Sequence, residues 1–214
     1  MPSHVSDSLL YGASFSTPEF LEIFNDHARV QAWFDVEVAL AKAQAELGVI
    51  PEAAAIEITK KADVKNVDVE EIGKGISSTA HPLVPAIRAL EEICDNGAGE
   101  FIHYGATTQD IMDTGLVLQI KKSWPLIVRD LKGTRDGLIK LAKDHRSTPM
   151  VGRTHGQQAL PLTFGYKCAV WVDEIERQLA RCFEAENRVL SGNITGAVGT
   201  MAAFGEQGRE IQIR

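Results

Sequence analysis

The sequence has few cysteines, no long apolar run and no basic excess, and each shortage excludes a class of protein. Its three cysteines, Cys94, Cys168 and Cys182, are an odd number without CxxC spacing, which predicts reduced thiols instead of a disulfide framework or a zinc site. No apolar stretch approaches the roughly 20 residues that a transmembrane helix needs. The net charge of −7 comes without a dense Lys/Arg patch, so we expect no nucleic-acid partner.

Signals for targeting, metal binding and nucleotide binding are also missing. The opening residues MPSHVSDSLLYG have neither a basic start nor an apolar core, so we expect no secretory signal and a cytoplasmic protein. No HxxxH or HExxH pair occurs, and a protein-built metal site is therefore not expected. The glycine-containing loop 192–200 lacks both the GK[ST] of a P-loop and a preceding strand. No cofactor is implied.

What the sequence does contain is helical periodicity, on a composition of 44% hydrophobic and 24% charged residues that is typical of globular proteins. Ser16-Thr-Pro-Glu19 predicts a helix start, because a hydroxyl cap precedes a proline at the first helical position. From Asp26, apolar residues recur at steps of three and four up to Leu47, and Glu37 is expected off this stripe. Further helices are predicted over 51–62, from residue 68 and over 82–94.

A break at Asp95-Asn-Gly-Ala-Gly99 separates two predicted domains. They are a small N-terminal helical domain, 1–98, and the first part of a long central helical bundle, 99–214. No β-branched alternating run of strand length precedes the break, so the predicted fold class is all-α. Helices of the second domain are predicted over 107–122, over 125–145, from Thr163 along a long apolar stripe, and from 204 to the end.

The polar stretch Gly152–Thr163 predicts a functional site. It places His155, Gln157 and hydroxyl groups in a tight turn before a long amphipathic helix, a density of hydrogen-bonding groups that a helix bundle does not need. A histidine in a loop can act as general acid or base near physiological pH. The alternative is a structural histidine that only makes hydrogen bonds, and the stretch alone leaves both open.

A second polar stretch, Tyr104–Asp110, precedes another predicted helix. Unpaired backbone N–H groups and the helix dipole favour an anion such as a carboxylate there. The alternative is that Thr107 is only an N-cap, with Asp110 completing a capping box, and from this stretch alone the cap is favoured. His81 and His103 lie beside apolar residues, so each could be a hydrogen-bonded core histidine.

Three motifs in order resemble the signatures of the fumarase/aspartase superfamily. They are His103-Tyr-Gly-Ala-Thr-Thr-Gln-Asp110, then Gly152-Arg-Thr-His-Gly-Gln157, then Thr195-Gly-Ala-Val-Gly-Thr200. Their form is similar to the adenylosuccinate lyase branch. The N-terminal residues Tyr11–Glu37, followed by Leu47-Gly-Val-Ile-Pro51, instead resemble bacterial 3-carboxy-cis,cis-muconate cycloisomerases. The likeness extends over essentially the whole chain.

The resemblance implies a lyase that removes a proton next to a carboxylate and expels nitrogen or oxygen from the adjacent carbon, releasing fumarate or a similar product. It implies a homotetramer whose sites combine motifs from different subunits, and no cofactor. His155 matches the general acid toward the leaving group. The residues that match substrate-binding positions are His81, His103, Thr107, Thr108, Gln157 and, by its motif only, Thr195.

Departures from the family patterns leave alternatives open. Ser14-Phe15 stands where adenylosuccinate lyases usually carry an Arg-Tyr pair, which argues against an AMP-bearing substrate. His155 stands where bacterial cycloisomerases tend to carry tryptophan, which ranks a carboxymuconate cycloisomerase second. The mobile loop that supplies the family's serine base has no counterpart here, so we expect a first part of a longer enzyme, inactive alone. A non-catalytic helical assembly module is the third alternative.

Overall fold

The computed structural model describes residues 5–214, except for the side chain of Asp7, and the chain divides into two compact units. The first comprises the described residues up to Lys121 together with Ser191–Arg214, and the second is Lys122–Leu190. This division reflects packing within the chain, and the predicted domains 1–98 and 99–214 stay a prediction. The helices and strands are α1 (Pro18–Phe24), α2 (Asp26–Glu46), α3 (Glu52–Lys61), α4 (Val69–Thr79), α5 (Leu83–Ile93), α6 (Thr108–Asp144), β1 (Pro149–Thr154), β2 (Gln157–Thr163), α7 (Phe164–Val189) and α8 (Gly208–Ile213).

The helix starts of the first unit follow the capping residues in the sequence. The Thr17 side chain accepts a hydrogen bond from the Phe20 N–H, with Pro18 at the first helical position of α1. The Asn25 side chain accepts from the Ala28 N–H at 2.9 Å and so begins α2. Asp68 caps α4 in the same way. Each cap satisfies a backbone donor that the first turn of a helix leaves unpaired.

The core of the first unit forms where α2 packs against α3 and α4, and α5 packs against α3 and α4 in turn. Phe34, Ile58 and Leu90 are each at most 1% exposed and lie in one apolar cluster. Glu37 and Gln44 are also buried, at 2% and 0% exposed, so the expectation that Glu37 lies off the apolar stripe is wrong. The physical reason is the spacing: residues 33, 37, 40 and 44 follow steps of four, three and four and share one helix face.

The two helices predicted over 107–122 and 125–145 are one continuous helix, α6, with Pro125 inside it. A proline within a helix removes the N–H that would bond the carbonyl four residues earlier, here Lys121, and costs about 3 kcal/mol. The helix nevertheless continues, so the predicted break near Pro125 is wrong. The boundary between the two compact units falls at this same place, between Lys121 and Lys122.

The second unit contains a β-hairpin that periodicity did not predict. Strands β1 and β2 pair antiparallel, with Thr154 opposite Gln157 and an irregularity between Gly152 and Arg153. The hairpin leads into α7, whose start at Thr163 is confirmed, because the Thr163 side chain accepts from the Tyr166 N–H at 3.1 Å.

The all-α class is confirmed, with this two-stranded sheet as the only sheet among residues 5–214. Of the helices in that range, none is long and apolar enough to cross a membrane. The C-terminal helix predicted from 204 is a 3₁₀ segment, Ala202–Gln207, followed by the short α8.

Candidate functional site

In the first unit, the segment before α6 is held to α2 by a buried acid. Both Glu37 carboxylate oxygens bind His103: Oε2 accepts from the backbone N–H at 2.9 Å, and Oε1 lies 2.7 Å from Nδ1. His103 has a φ of 61°, a left-handed backbone that a non-glycine residue adopts at a cost of roughly 1 kcal/mol or more. The paired contacts with Glu37 offset that strain and fix both the backbone and the ring.

The next two residues are fixed as firmly. The Gln44 side-chain amide donates to the Tyr104 carbonyl at 2.7 Å. Gly105 has a φ of 79°, and a Cβ there would lie 2.7 Å from the Phe204 ring. Residues 103–105 are therefore fixed by hydrogen bonds from Glu37 and Gln44 on α2 and by contact with the Phe204 ring.

Asp110 joins the start of α6 to the loop after α7. Its carboxylate is fully buried, and its two oxygens receive hydrogen bonds from two segments that are distant in sequence. Within the described chain these donors are the N–H of Thr107 (3.1 Å), Thr195 (3.1 Å) and Gly196 (2.8 Å), the Thr195 hydroxyl (3.3 Å) and the Asn193 amide (3.3 Å). A buried carboxylate with this many donors is well satisfied and orders both segments.

Thr107, Thr108 and Thr195 are thereby brought to one place. Thr107 and Thr195 bind the same carboxylate, and Thr108 is the first residue of α6. The hydroxyls of Thr107 and Thr108 make no hydrogen bond with any residue in the described range, at the end of a long helix where the dipole favours an anion. Thr114 supports the same loop, exchanging two 3.0 Å hydrogen bonds with the backbone of Asn193.

The capping-box alternative for this stretch is half right. Asp110 accepts from the Thr107 N–H, as the acid of a capping box does. The reciprocal bond to the Thr107 hydroxyl is not made within residues 5–214, where the Asp110 N–H donates to the Thr107 carbonyl instead. The Thr107 hydroxyl is consequently not engaged in capping.

His81 lies in the turn between α4 and α5, and its hydrogen bonds are local. Ala80, with a φ of 52°, ends α4, and the Leu83 N–H donates to His81 Nδ1 at 3.3 Å. Because Nδ1 accepts, the neutral ring carries its proton on Nε2. The hydrogen bonds that His81 makes within the described chain all go to Thr79 and Leu83, so none joins it to the other candidates.

The remaining candidates, His155 and Gln157, belong to the second unit. His155 and Gly156 have φ values of 49° and 70° and form the two-residue turn of the hairpin. Two successive left-handed residues are the signature of a type I′ turn, which suits the twist of the strands. The His155 side chain is exposed and makes no hydrogen bond with the described residues, so the turn presents the imidazole to whatever approaches the hairpin end.

Several contributors were not predicted from the sequence. Glu37 and Gln44 were missed as site residues, although a helical plot places both on the buried face of α2. Asp110 was considered only as a cap, and nothing local in the sequence indicates its bonds to residues 193–196. Among the described residues, no group of His, Cys, Asp and Glu is arranged to hold a metal ion.

Comparison with known proteins identifies the family to which this arrangement belongs. A protein family described as Lyase matches residues 13–212. The chain belongs to this lyase family. The predicted membership of the fumarase/aspartase superfamily is confirmed, since adenylosuccinate lyases and muconate cycloisomerases are both among its relatives.

The relatives of this lyase-family chain carry related activities in their names. It is 49% identical over 212 residues to an N-acetyl-S-(2-succino)cysteine lyase of Enterococcus italicus, covering 99% of the chain and 46% of that protein. It is 48% identical to an adenylosuccinate lyase of Methanocaldococcus jannaschii, covering 94% and 43%. The solved 3-carboxy-cis,cis-muconate lactonizing enzyme of Pseudomonas putida superposes with a TM-score of 0.89 at 36% identity, covering 95% and 47%. The chain thus spans about half the length of the curated relatives it matches.

Proposed function

We propose that the complete protein is a lyase that catalyses β-elimination from a succinyl-type dicarboxylate and releases fumarate or a fumarate-like product. The observation that carries this proposal is the Asp110 network, which gathers three threonines at the positive end of α6. Two relatives, at 49% and 48% identity, are named for succinyl compounds, one joined through sulfur and one through nitrogen. The leaving atom is therefore sulfur or nitrogen, as in these relatives, or oxygen, as the family resemblance implies.

The roles of the residues follow from the charge that develops during the reaction. A base removes a proton from the carbon next to a carboxylate, a double bond forms, and the bond to the leaving atom breaks. The intermediate is enolate-like and doubly charged, so fixed donors around its carboxylates lower the barrier. Thr107, Thr108 and Gln157 supply such donors, while Thr195 lines the same place with its N–H and hydroxyl donated to Asp110. His155 gives its proton to the leaving atom.

The proposal places the base outside these 214 residues. The family's serine-bearing loop has no match in the sequence, and the chain spans only 46% of its succinocysteine lyase relative. We expect this chain alone to show no turnover. We further propose a cytoplasmic homotetramer in which His155 and the threonines of one site come from different subunits, as the family resemblance implies.

Replacing His155 by asparagine tests the acid role without disturbing the turn. Asparagine tolerates the left-handed backbone at this position better than alanine does. In the complete protein we expect His155→Asn to lower kcat by about 10²- to 10⁴-fold with a much smaller change in KM. Gln158→Ala, an exposed change two residues beyond the turn, is the matched control and leaves kcat unchanged. Unaltered turnover of His155→Asn removes the acid assignment.

The second candidate is a 3-carboxy-cis,cis-muconate cycloisomerase. The superposition with the Pseudomonas putida lactonizing enzyme favours it. A histidine at 155, where such enzymes tend to carry tryptophan, ranks it below the lyase. Ring closure consumes the diene of a carboxymuconate and releases no second product, whereas β-elimination always yields two products. Loss of diene absorbance by the complete protein, without turnover of any succinyl compound, favours this candidate.

A further inference from the structure

The pair formed by Glu37 and His103 has a geometry that a purely structural contact does not need. Glu37 is almost completely buried on α2, yet both of its oxygens are spent on one residue 66 positions away. No part of the carboxylate binds its own helix or a second partner in the described chain. A buried acid is retained at a desolvation cost, so its single dedicated partner indicates what it is there to hold.

The contact fixes which nitrogen of the ring carries a proton. A carboxylate is an acceptor only, so the 2.7 Å contact with Oε1 keeps a proton on Nδ1 in both the neutral and the charged ring. Nε2 is then the ring nitrogen that is left to contact another molecule. It makes no hydrogen bond with residues 5–214 and is not sealed from solvent. The imidazole is therefore bonded through Nδ1 and accessible at Nε2.

Hydrogen bonds from α2 also fix the backbone of His103 and Tyr104. His103 keeps a left-handed conformation, and Glu37 binds its N–H as well as its ring. About two helical turns further along α2, Gln44 binds the next carbonyl, that of Tyr104. Strained residues persist only where surrounding contacts over-determine them, and they concentrate at functional sites. Glu37 and Gln44, on one buried face of α2, thus both bind the segment His103–Tyr104.

We propose that Glu37 is a positioning residue that acts on the substrate through His103. It holds the proton on Nδ1 and presents Nε2 to a polar group of the dicarboxylate. This inference rests on the proposed function, because it requires a substrate at His103. It assigns no contact between Glu37 and the substrate itself.

A double-mutant cycle on the complete protein separates positioning from simple support of the fold. Glu37→Gln puts an amide donor opposite either the backbone N–H or Nδ1, and we expect a loss in kcat/KM of about 10- to 100-fold. If Glu37 acts through His103, the same change costs nothing further in the His103→Ala background. The control is Gln119→Leu, which removes a side chain that is only 2% exposed and donates to the Ile23 carbonyl. Any loss in kcat/KM that it causes is expected to multiply with the loss from His103→Ala. If the losses in kcat/KM from Glu37→Gln and His103→Ala multiply in the double variant, the proposal is overturned.

Nitrogen-15 NMR of the histidine rings gives a readout that does not depend on turnover. In complete protein labelled at histidine, we expect His103 to carry its proton on Nδ1, with its signals identified by their loss in His103→Ala. Glu37→Gln is expected to shift the proton toward Nε2. A wild-type ring protonated on Nε2 alone, or one unchanged by Glu37→Gln, contradicts the proposal. Absence of any lyase turnover defeats the proposed function instead, and the NMR result still decides the tautomer.

Discussion

At the scale of single residues, Asp110 is the most consequential side chain of the first unit. It receives donors from residue 107 on one side and from residues 193–196 on the other, and it is completely buried. These contacts join segments more than 80 positions apart. The threonines proposed to bind substrate owe their common location to this carboxylate.

Asp110→Asn is expected to destabilise the chain by about 2–3 kcal/mol, because the new amide group faces N–H donors instead of accepting from them. Urea denaturation of wild type and variant measures the difference. Asp113→Asn is the control: Asp113 is exposed and bonds Gln109 on the same helix, so its change stays within about 0.5 kcal/mol. Equal stability of the two variants contradicts the role given to Asp110.

The candidate residues were predictable as types but not as partners. The threonines at 107 and 108 before a helix make an anion site one interpretation of the sequence, although the stretch alone favours an N-cap. By contrast, Glu37 and His103 are 66 positions apart, and only the fold brings them together. A polar residue on an apolar helix face signals a buried partner, but it does not say which one. The partner is a tertiary property.

At the scale of elements, α6 shows that glycines in one helix have opposite roles. Gly133 is exposed and a Cβ there meets nothing within 4 Å, whereas a Cβ on Gly115 would lie 2.7 Å from Trp33 Cδ1. We expect Gly133→Ala to stabilise the chain by about 0.5–1 kcal/mol through helix propensity. Gly115→Ala is expected to destabilise it by about 1–3 kcal/mol through overpacking. Thermal unfolding of both variants gives the signs, and the same sign for both is the contrary result.

The ion pair between Lys61 at the end of α3 and Asp95, two residues beyond α5, has a pH dependence of known direction. The hydrogen bond from Lys61, 3.0 Å away, lowers the pKa of Asp95. A carboxyl whose folded pKa is lowered contributes stability above its unfolded pKa of about 3.9 and loses it as the pH falls through the folded value. Lys61→Met should therefore destabilise the chain at pH 7 and less so near pH 3. Denaturation at both pH values checks this, with Lys65→Met as the control, and a constant difference counts against the link.

Helix starts were predictable, but the continuity of α6 through Pro125 and the β-hairpin were not. Thr17 and Thr163 cap helices as expected, since capping depends on local chemistry. Pro125 was read as a break because propensity ignores the packing along α6. The hairpin was missed because its turn uses His155-Gly156 instead of the commoner Asn-Gly, and its strands do not alternate cleanly.

At the scale of the whole molecule, the proposed tetramer predicts complementation between inactive variants. If His155 and Thr108 of one site come from different subunits, mixed tetramers of His155→Asn and Thr108→Ala contain some sites with both residues intact. Co-refolding the two variants of the complete protein should restore activity well above that of either alone. Mixtures that stay as inactive as their parents, despite hybrid tetramers by mass spectrometry, contradict shared sites.

The most direct test of the central claim is to identify the products of the complete protein by proton NMR. The substrates offered are a succinyl thioether, a succinyl amine and a carboxymuconate. We expect the vinyl signal of fumarate together with an equimolar free thiol or amine, and we expect the fumarate signal to be lost in His155→Asn. Turnover of the carboxymuconate alone without a second product, or fumarate formation undiminished in His155→Asn, would contradict it.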